Sequence, residues 1–282
     1  MSDPRPIGVF DSGVGGLSVA VALQARLPAE RILYLGDTAR LPYGTKSAET
    51  VTRYTLANID FLEERGVKAI VVACNTASAL ALERLQTELP VWGVVEPGAE
   101  HAAELSRGRV GVLATEATIA SDAYGRALRR LRPELEVLSR ACPLFVPLVE
   151  EGWLDDPVTE AVARRYLEPL LEAEVDTLLL GCTHYPLLAP LLARVAGPDV
   201  ALADSASAVS ERVAAGLASR SLLADASPSA TRSAPRDSAP REDHFFVTDA
   251  SVRFERIARE FVGRPIRLEL VDLAPPAIRR ST

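Results

Sequence analysis

Short apolar segments alternate with longer helical patterns along most of the chain, and this alternation restricts the fold more than any other feature. Each segment is apolar without interruption, as is typical of strands covered on both faces of a parallel sheet. Amphipathic stretches between them supply the covering helices, as in a helix predicted over 77–89 with Leu82, Leu85 and Leu89 on one face. The sequence therefore predicts an α/β protein with mainly parallel sheets. The predicted strands are 7–10, 31–36, 69–74, 91–95, 109–114, 135–140, 177–182 and 200–204.

The alternating series is duplicated. "IGVFDSGVGGLSVAVALQARLP" is similar to "VGVLATEATIASDAYGRALRRLRP", and "VKAIVVACNTASALALERL" is similar to "VDTLLLGCTHYPLLAPLLARV". We therefore predict two similar α/β domains, of which the first begins with 1–97 and the second comprises 98–205. Ligands of such sheets bind at the carboxyl ends of the strands, so the functional site is expected there.

Residues 225–243 differ in composition from the rest of the chain. They are rich in Ser, Ala, Pro and Arg and contain none of the residues that form a core, which predicts a disordered insert. Order is expected to resume at "HFFVTD", followed by a helix around "VRFERIAREFVG" and a strand in "IRLELVDL".

Charge and hydropathy argue against several partners. The net charge is −7 and no dense basic stripe occurs, so we expect no nucleic-acid partner. No apolar segment approaches the roughly 20 residues of a membrane-spanning helix, so we expect no membrane association. The first residues also lack the apolar segment of a secretory signal. We therefore expect a cytoplasmic protein.

The residues that usually hold cofactors are scarce. Three cysteines without a C-x-x-C pair and three histidines without ligand spacing argue against disulfides and against a metal centre. Pyridoxal phosphate needs a lysine, and the chain has two. Lys68 precedes its strand, at the wrong end of a parallel sheet, and Lys46 is a loop candidate only. We therefore expect no cofactor.

Cys74 and Cys182 are the first candidates for chemistry. Each ends an apolar strand just before a predicted helix, and a helix N-terminus lowers the pKa of a thiol. The alternative is that either is an ordinary buried core cysteine. Their matching places favour function, as do the polar pairs that follow them, Asn75-Thr76 and Thr183-His184. Cys142, which precedes a proline and has no polar pair, is interpreted as structural.

Ionisable groups near the cysteines could move protons. His184 is a candidate general acid/base on the Cys182 side, and Asp11 is its counterpart near Cys74. Glu150 could add a carboxylate on the second side, but its neighbour Glu151 is equally acidic, and the residues themselves do not choose between them.

Neutral donors surround these groups in the sequence. The "DSGVGG" turn fails the dinucleotide fingerprint, although its glycines could present free N–H groups. Such donors can bind a carboxylate without lysine or arginine, so a small polar ligand between the two domains is expected. Two bases on opposite faces of one carbon would invert a stereocentre without a cofactor. The side-chain donors are Ser12, Asn75, Thr76, Thr115, Thr118 and Thr183, and the backbone donors lie in Pro42-Tyr43-Gly44.

Four motifs resemble those of bacterial glutamate racemases, in the expected order and spacing: "FDSGVGGLSV", "YLGDTARLPYG", "ACNTASA" and "LLLGCTHYPLL". This resemblance to the aspartate/glutamate racemase superfamily implies two α/β domains related by pseudo-twofold symmetry, with the active site in the cleft between them. It also implies that 206–282 returns to complete the first domain. The implied reaction is cofactor-independent interconversion of L- and D-glutamate, which supplies D-glutamate for peptidoglycan, and the implied assembly is a homodimer.

The resemblance also assigns roles to residues. It implies Cys74 and Cys182 as the catalytic cysteines, assisted by Asp11 and His184, and it favours Glu150 over Glu151 because the family's glutamate follows "VPLV". The implied substrate contacts are Asp11, Ser12, Tyr43, Gly44, Asn75, Thr76, Thr183 and His184, to which Thr115 and Thr118 are added as donors on the same rim.

Two other functions stay open on the sequence. An aspartate racemase is one, although such enzymes resemble "GCTE" at the second cysteine, so His184 favours glutamate. The other is a symmetrical protein that binds a small ligand and whose cysteines are incidental.

Overall fold

The architecture consists of two parallel sheets flanked by helices. It is seen in a computed structural model that describes residues 2–225, 243–250, 252–263 and 266–273. Except for its two end residues, the insert predicted at 225–243 lies outside this described part.

Ten strands occur within the described residues, and each of the eight predicted segments overlaps one of them. In chain order they are β1 (Ile7–Asp11), β2 (Ile32–Gly36), β3 (Ala69–Val72), β4 (Val91–Gly93), β5 (Arg109–Ala114), β6 (Glu136–Ala141), β7 (Thr177–Gly181), β8 (Ala201–Asp204), β9 (His244–Val247) and β10 (Leu268–Leu270).

The helices fill the intervals between the strands. They are α1 (Leu17–Arg26), α2 (Ala48–Glu64), α3 (Asn75–Ala81), α4 (Val95–Leu105), α5 (Glu116–Ala120), α6 (Ala123–Leu131), α7 (Phe145–Glu151), α8 (Pro157–Glu172), α9 (Ala189–Ala196), α10 (Ser205–Ser219) and α11 (Val252–Val262). Short 3-10 turns occur at Thr38–Arg40, Tyr43–Thr45, Leu82–Arg84 and Tyr185–Leu188. No helix within the described ranges is both long and apolar enough to cross a membrane.

The two sheets repeat one topology. The first has the order β10-β9-β2-β1-β3-β4 and the second β6-β5-β7-β8, and every pairing is parallel. The order β2-β1-β3-β4 matches β6-β5-β7-β8 strand for strand, so the duplication seen in the sequence is a duplication of the fold. The prediction of an α/β class with two related parallel-sheet units is confirmed.

The C-terminal segment completes the first sheet. β9 pairs with β2 and β10 pairs with β9, so the chain returns to the first unit after traversing the second. This agrees with the placement that the family resemblance implied. The domain boundaries at 97/98 and 205/206 stay a prediction.

Four apolar clusters hold the layers together. Two flank the first sheet, and one of these buries Val9 and Val71 while the other buries Phe10 and Val72. Two more flank the second sheet in the same manner. Alternate residues of one strand thus enter opposite cores, which explains why the central strands are apolar throughout. Cys142 is fully buried in one of these clusters, in keeping with a structural role.

The helix predicted over 77–89 is too long. α3 ends at Ala81, and the chain then forms a 3-10 turn and leaves the helical conformation. The Thr87 hydroxyl accepts a hydrogen bond from the Leu89 N–H, at 3.1 Å, and so competes with helical pairing. The predicted leucine face, Leu82, Leu85 and Leu89, nevertheless packs against the first unit's core.

Candidate active site

A narrow cavity lies where the carboxyl ends of strands from both sheets meet. Residues after β1, β3 and β7 line it, together with the loop after β2 and residues from α7, as expected for ligand sites of open parallel sheets. Its volume is about 40 Å³. The lining residues are Ser12, Gly13, Leu41, Pro42, Tyr43, Gly44, Cys74, Asn75, Thr76, Thr115, Val146, Glu150, Cys182, Thr183 and His184.

Both candidate cysteines line this one cavity. Cys74 comes from the first unit and Cys182 from the second, at the ends of the equivalent strands β3 and β7. Both are buried free thiols. The 108-residue separation in sequence is thus closed by the duplicated topology, which brings one sulfur from each unit to a shared space.

Cys74 occupies the N-cap of α3, as predicted. Its sulfur accepts a hydrogen bond from the Ala77 N–H at 3.4 Å, and its thiol donates to Ser12 Oγ at 3.5 Å. The expected lowering of its pKa is wrong. Burial, followed by the charge of Asp11, raises the pKa of Cys74 to about 12 and outweighs the helix N-terminus.

Cys182 differs from Cys74 in its local structure. It does not immediately precede an α-helix as predicted, because the 3-10 turn Tyr185–Leu188 intervenes and α9 begins only at Ala189. Its polar neighbour is instead His184, whose Nδ1 lies 4.0 Å from Cys182 Sγ. The second sulfur therefore has an imidazole beside it where the first has a helix N-terminus.

His184 stands between a thiol and a carboxylate. Its Nε2 lies 3.5 Å from Glu150 Oε1, and the ring is buried. Burial alone would lower the pKa of His184, but Cys182, Glu150 and Asp11 together raise it to about 10. The imidazole is therefore a cationic proton donor at neutral pH. Glu151 lines a different cavity beside α11, so of the two candidate glutamates it is Glu150 that reaches the site.

Asp11 lies directly behind the cavity and is not one of its lining residues. It is fully buried, and its carboxylate accepts the Gly13 N–H at 3.0 Å and the Thr183 hydroxyl at 3.4 Å. Burial raises the pKa of Asp11, although His184 and the backbone N–H groups of Gly16, Gly13 and Ser12 oppose this. This carboxyl group connects the turn after β1 with the loop after β7.

The "DSGVGG" glycines allow the two units to approach closely. A Cβ on Gly15 would lie 2.5 Å from Thr183 Oγ1 and 2.6 Å from His184 Nδ1, and one on Gly16 would lie 2.5 Å from Asp11 Cβ. A side chain at Gly15 would therefore displace the residues beside Cys182. The simpler interpretation of the motif is that its glycines only form a turn. The contacts show that they also allow close packing, which a side chain would prevent.

Three threonine hydroxyls form a ring across the units. Thr76 Oγ1 lies 3.0 Å from Thr115 Oγ1 and 3.2 Å from Thr118 Oγ1, and the last two are 2.9 Å apart. Thr118 is buried behind Thr115 and does not line the cavity itself. A Cβ on Gly44 would lie 2.6 Å from Thr115 Cβ, so the loop after β2 also packs closely on the second unit.

The structure adds supporting residues that the sequence did not single out. The buried Asp37 carboxylate accepts hydrogen bonds from Tyr43 Oη, from Arg40 Nε at 2.8 Å and from Thr248 Oγ1 at 3.0 Å. It thus holds the loop that carries Tyr43 and ties it to the C-terminal segment. Asp37 stands in the quoted motif "GDTARLPYG", where its carboxylate was the available signal.

The C-terminal helix α11 also reaches the site. The Phe261 ring packs edge-on against His184, with centroids 6.3 Å apart and planes at 84°. Arg256 Nη2 donates to the backbone carbonyl of Glu150 at 3.0 Å. No sequence signal connects these residues, because they lie 77 or more positions from their partners.

We looked in the described part of the chain for two kinds of cofactor-binding group, a metal-ligand cluster and a lysine near the cavity. Among the described residues, no group of three or more His, Cys, Asp or Glu side chains is placed to hold a metal ion. Lys68 is fully buried at the start of β3, where it pairs with Glu30 at 2.5 Å. This is the end of the strand opposite to the cavity, as predicted.

Comparison with known proteins places the chain in a family. The family model described as Asp/Glu/Hydantoin racemase matches residues 17–213. This chain belongs to the Asp/Glu/Hydantoin racemase family. The matched region contains both cysteines and most of the lining residues, so the family model and the cavity coincide.

Relatives in this family agree over nearly the whole chain. A glutamate racemase from Geobacter metallireducens is 52% identical over 262 residues, covering 92% of this chain and 93% of the relative. A glutamate racemase from Syntrophus aciditrophicus is 49% identical and covers 93% of this chain and 94% of the relative.

Solved structures of the same family share the fold. Glutamate racemase from Francisella tularensis in complex with D-glutamate has a TM-score of 0.86 and 37% identity, covering 96% of this chain and 98% of that one. Glutamate racemase isoform RacE1 from Bacillus anthracis also has a TM-score of 0.86, with 38% identity and coverage of 95% and 98%.

Proposed function

We propose that this protein is a cofactor-independent glutamate racemase that interconverts L- and D-glutamate. The observation that carries the proposal is the pair of cysteines, one from each unit, lining a single cavity. The names of its relatives, glutamate racemases at 52% and 49% identity, support glutamate as the substrate. Such an enzyme supplies D-glutamate for peptidoglycan synthesis.

The reaction is a transfer of two protons. The thiolate of one cysteine removes the α-proton, and the resulting electron pair is delocalised into the adjacent carboxylate. The thiol of the other cysteine then delivers a proton to the opposite face of the same carbon. The stereocentre is inverted, no group is oxidised or reduced, and the two cysteines have exchanged protonation states.

An ionisable group beside each cysteine assists these transfers. His184, cationic at neutral pH and 4.0 Å from Cys182 Sγ, serves the second side, with Glu150 behind it. Asp11, near Cys74, is the corresponding group on the first side. The high pKa of Cys74 fits a resting thiol that becomes a base only when the site is reorganised around substrate.

Neutral donors hold the substrate carboxylates. We assign this role to Ser12, Asn75, Thr76 and Thr183, to the backbone of Tyr43-Gly44, and to Thr115 with Thr118 in support. Since no lysine or arginine is among the described residues that line the cavity, hydrogen bonds and exclusion of water must stabilise the developing enolate. A cavity of about 40 Å³ holds only a few water molecules, so the site must widen to admit an amino acid.

Location and assembly are proposed on family likeness. We propose that the enzyme acts in the cytoplasm and as a homodimer, without nucleic-acid or membrane partners. Light scattering of the purified protein tests the assembly, and a mass of one chain would contradict it. The first domain is proposed to comprise 1–97 with 206–282, and the second 98–205.

The activity is tested by circular dichroism of glutamate incubated with the purified protein. We expect L-glutamate and D-glutamate each to approach the racemate without added cofactor, at rates well above those for L- and D-aspartate. Faster turnover of aspartate would indicate an aspartate racemase. Binding of glutamate without loss of optical activity would indicate a binding protein. The Cys74→Ala, Cys182→Ala double variant should be inactive.

A further inference from the structure

The Tyr124 hydroxyl lies buried where the two units meet. Tyr124, in α6 of the second unit, is 2% exposed, and its hydroxyl donates to the side-chain carbonyl of Asn75 in the first unit. The same hydroxyl lies 3.1 Å from Ser205 Oγ, at the start of α10. Asn75 adjoins Cys74 and lines the catalytic cavity, so Tyr124 contacts the site through one lining residue.

Two glycines make room for this tyrosine. A Cβ on Gly181 would lie 3.0 Å from Tyr124 Cε2, and one on Gly98 would lie 3.4 Å from Tyr124 Cε1 and 2.6 Å from Ser205 Oγ. Gly181 directly precedes Cys182, and Gly98 lies in α4. The ring and its hydroxyl partner are therefore held from both sides by closely packed backbone, which fixes where the hydroxyl points.

The Asn75 amide presents its oxygen to the Tyr124 hydroxyl. A tyrosine hydroxyl has one proton, and Tyr124 gives it to the Asn75 oxygen, so Ser205 is the donor in the remaining contact. Burial raises the pKa of Tyr124 well above its usual range, so the hydroxyl keeps that proton at physiological pH. With its oxygen occupied, Asn75 has its NH2 group left to offer to the cavity.

We propose that Tyr124 is a positioning residue that orients the Asn75 carboxamide so that its NH2 group donates to a carboxylate of the substrate. The inference rests on the proposed function for the identity of that substrate. Through this hydrogen bond, a residue of the second unit orients a substrate-binding group of the first. The bond to the Asn75 oxygen forms only when the two units are in contact. Ser205 supports the arrangement as the donor to Tyr124.

The test uses Tyr124→Phe, which keeps the ring and removes the hydroxyl. We expect KM for L-glutamate to rise about three- to tenfold with kcat within twofold of wild type, because the lost interaction acts on bound substrate and transition state alike. The matched control is Tyr166→Phe, which removes another hydroxyl of the second unit, one that accepts from the Leu144 N–H away from the cavity. An unchanged KM in Tyr124→Phe would overturn the inference, even if both variants lose thermal stability.

A second measurement does not depend on turnover. In ¹⁵N–¹H spectra, the Asn75 side-chain NH2 signals are those absent from Asn75→Asp. We expect them to shift in Tyr124→Phe and to stay in place in Tyr166→Phe. Unshifted signals would show that the hydroxyl does not orient the amide and would overturn the inference. If the wild-type protein neither binds nor racemises glutamate, the proposed function fails, and the spectra still decide the orientation of Asn75.

Discussion

Nε2 of His184 lies 3.5 Å from Oε1 of Glu150, while Nδ1 of the same ring faces Cys182 Sγ at 4.0 Å. A buried imidazole between a carboxylate and a sulfur can hold a proton beside that sulfur. The two sides of the cavity therefore differ: an imidazole lies beside Cys182, whereas the carboxyl group of Asp11 lies near Cys74.

Replacing Glu150 by Gln should lower the pKa of His184 from about 10, because one of the groups that raise it is lost. The matched control is Glu151→Gln, since Glu151 lines a different cavity. Titration followed by histidine ¹³Cε1 resonances measures this, and the chain has three histidines to resolve. A His184 pKa unchanged in Glu150→Gln, or equally lowered in both variants, would contradict the proposed pairing.

The same raised pKa affects stability. His184 binds its proton more tightly in the folded state, so its contribution is fully present below pH about 6.5 and is lost as pH rises through about 10. We expect the midpoint of thermal unfolding to fall more steeply over this interval in wild type than in Glu150→Gln. Parallel curves for the two proteins would argue against it.

Replacing Asp11 by Asn should lower the pKa of Cys74. Burial is the larger cause of the raised value and persists in the variant, whereas the negative charge of Asp11 is removed. Alkylation of the Cys74 peptide by iodoacetamide, followed by mass spectrometry across pH, reports the thiolate fraction. We expect the wild-type rate to keep rising up to pH 10 and the variant's rise to begin at lower pH. Superimposable profiles would refute the role assigned to the Asp11 charge.

Replacing Asp37 by Asn should destabilise the fold and weaken substrate binding together. The buried carboxylate accepts from Tyr43, Arg40 and Thr248, so its loss is expected to cost about 2 kcal/mol of the free energy of unfolding. KM should rise as well, because Tyr43 lines the cavity. Urea unfolding and steady-state kinetics measure the two effects. Asp199→Asn, at an exposed carboxylate, is the control and should change neither.

Shortening Phe261 to Ala should reduce kcat/KM about three- to tenfold. The ring packs edge-on against His184, and removing it frees the imidazole from a contact that fixes its plane. Phe261→Leu keeps apolar contact and should retain most of the activity. Equal losses of kcat/KM in both variants would mean that the aromatic contact with His184 does not account for the effect. Unchanged kinetics in Phe261→Ala would mean that α11 does not position His184.

The sequence was sufficient to predict the parts of the fold and site that depend on local pattern. Unbroken apolar segments marked the strands, and the repeat marked two units of one topology. Cys74 and Cys182 could be found because each follows an equivalent strand. The relation between the two cysteines could therefore be predicted although they are 108 positions apart.

The parts that failed depend on contacts distant in sequence. The Cys74 pKa is set mainly by burial and by Asp11, 63 positions earlier, and not by the adjacent helix. Tyr124 meets Asn75 across 49 positions and carries no local motif. The predicted helix does not continue beyond Ala81, and in that segment the Thr87 hydroxyl donates to Glu63, 24 positions earlier. In each case a tertiary contact outweighed the local preference.

The most direct test of the two-cysteine account is turnover of L-glutamate in D₂O, sampled early. Because one sulfur removes the α-proton and the other delivers a different one, D-glutamate should carry deuterium at Cα from the first turnovers while the remaining L-glutamate stays largely protiated. Mass spectrometry after chiral separation measures both pools. D-glutamate that retains the original proton would mean that a single group transfers it, and this result would contradict the account.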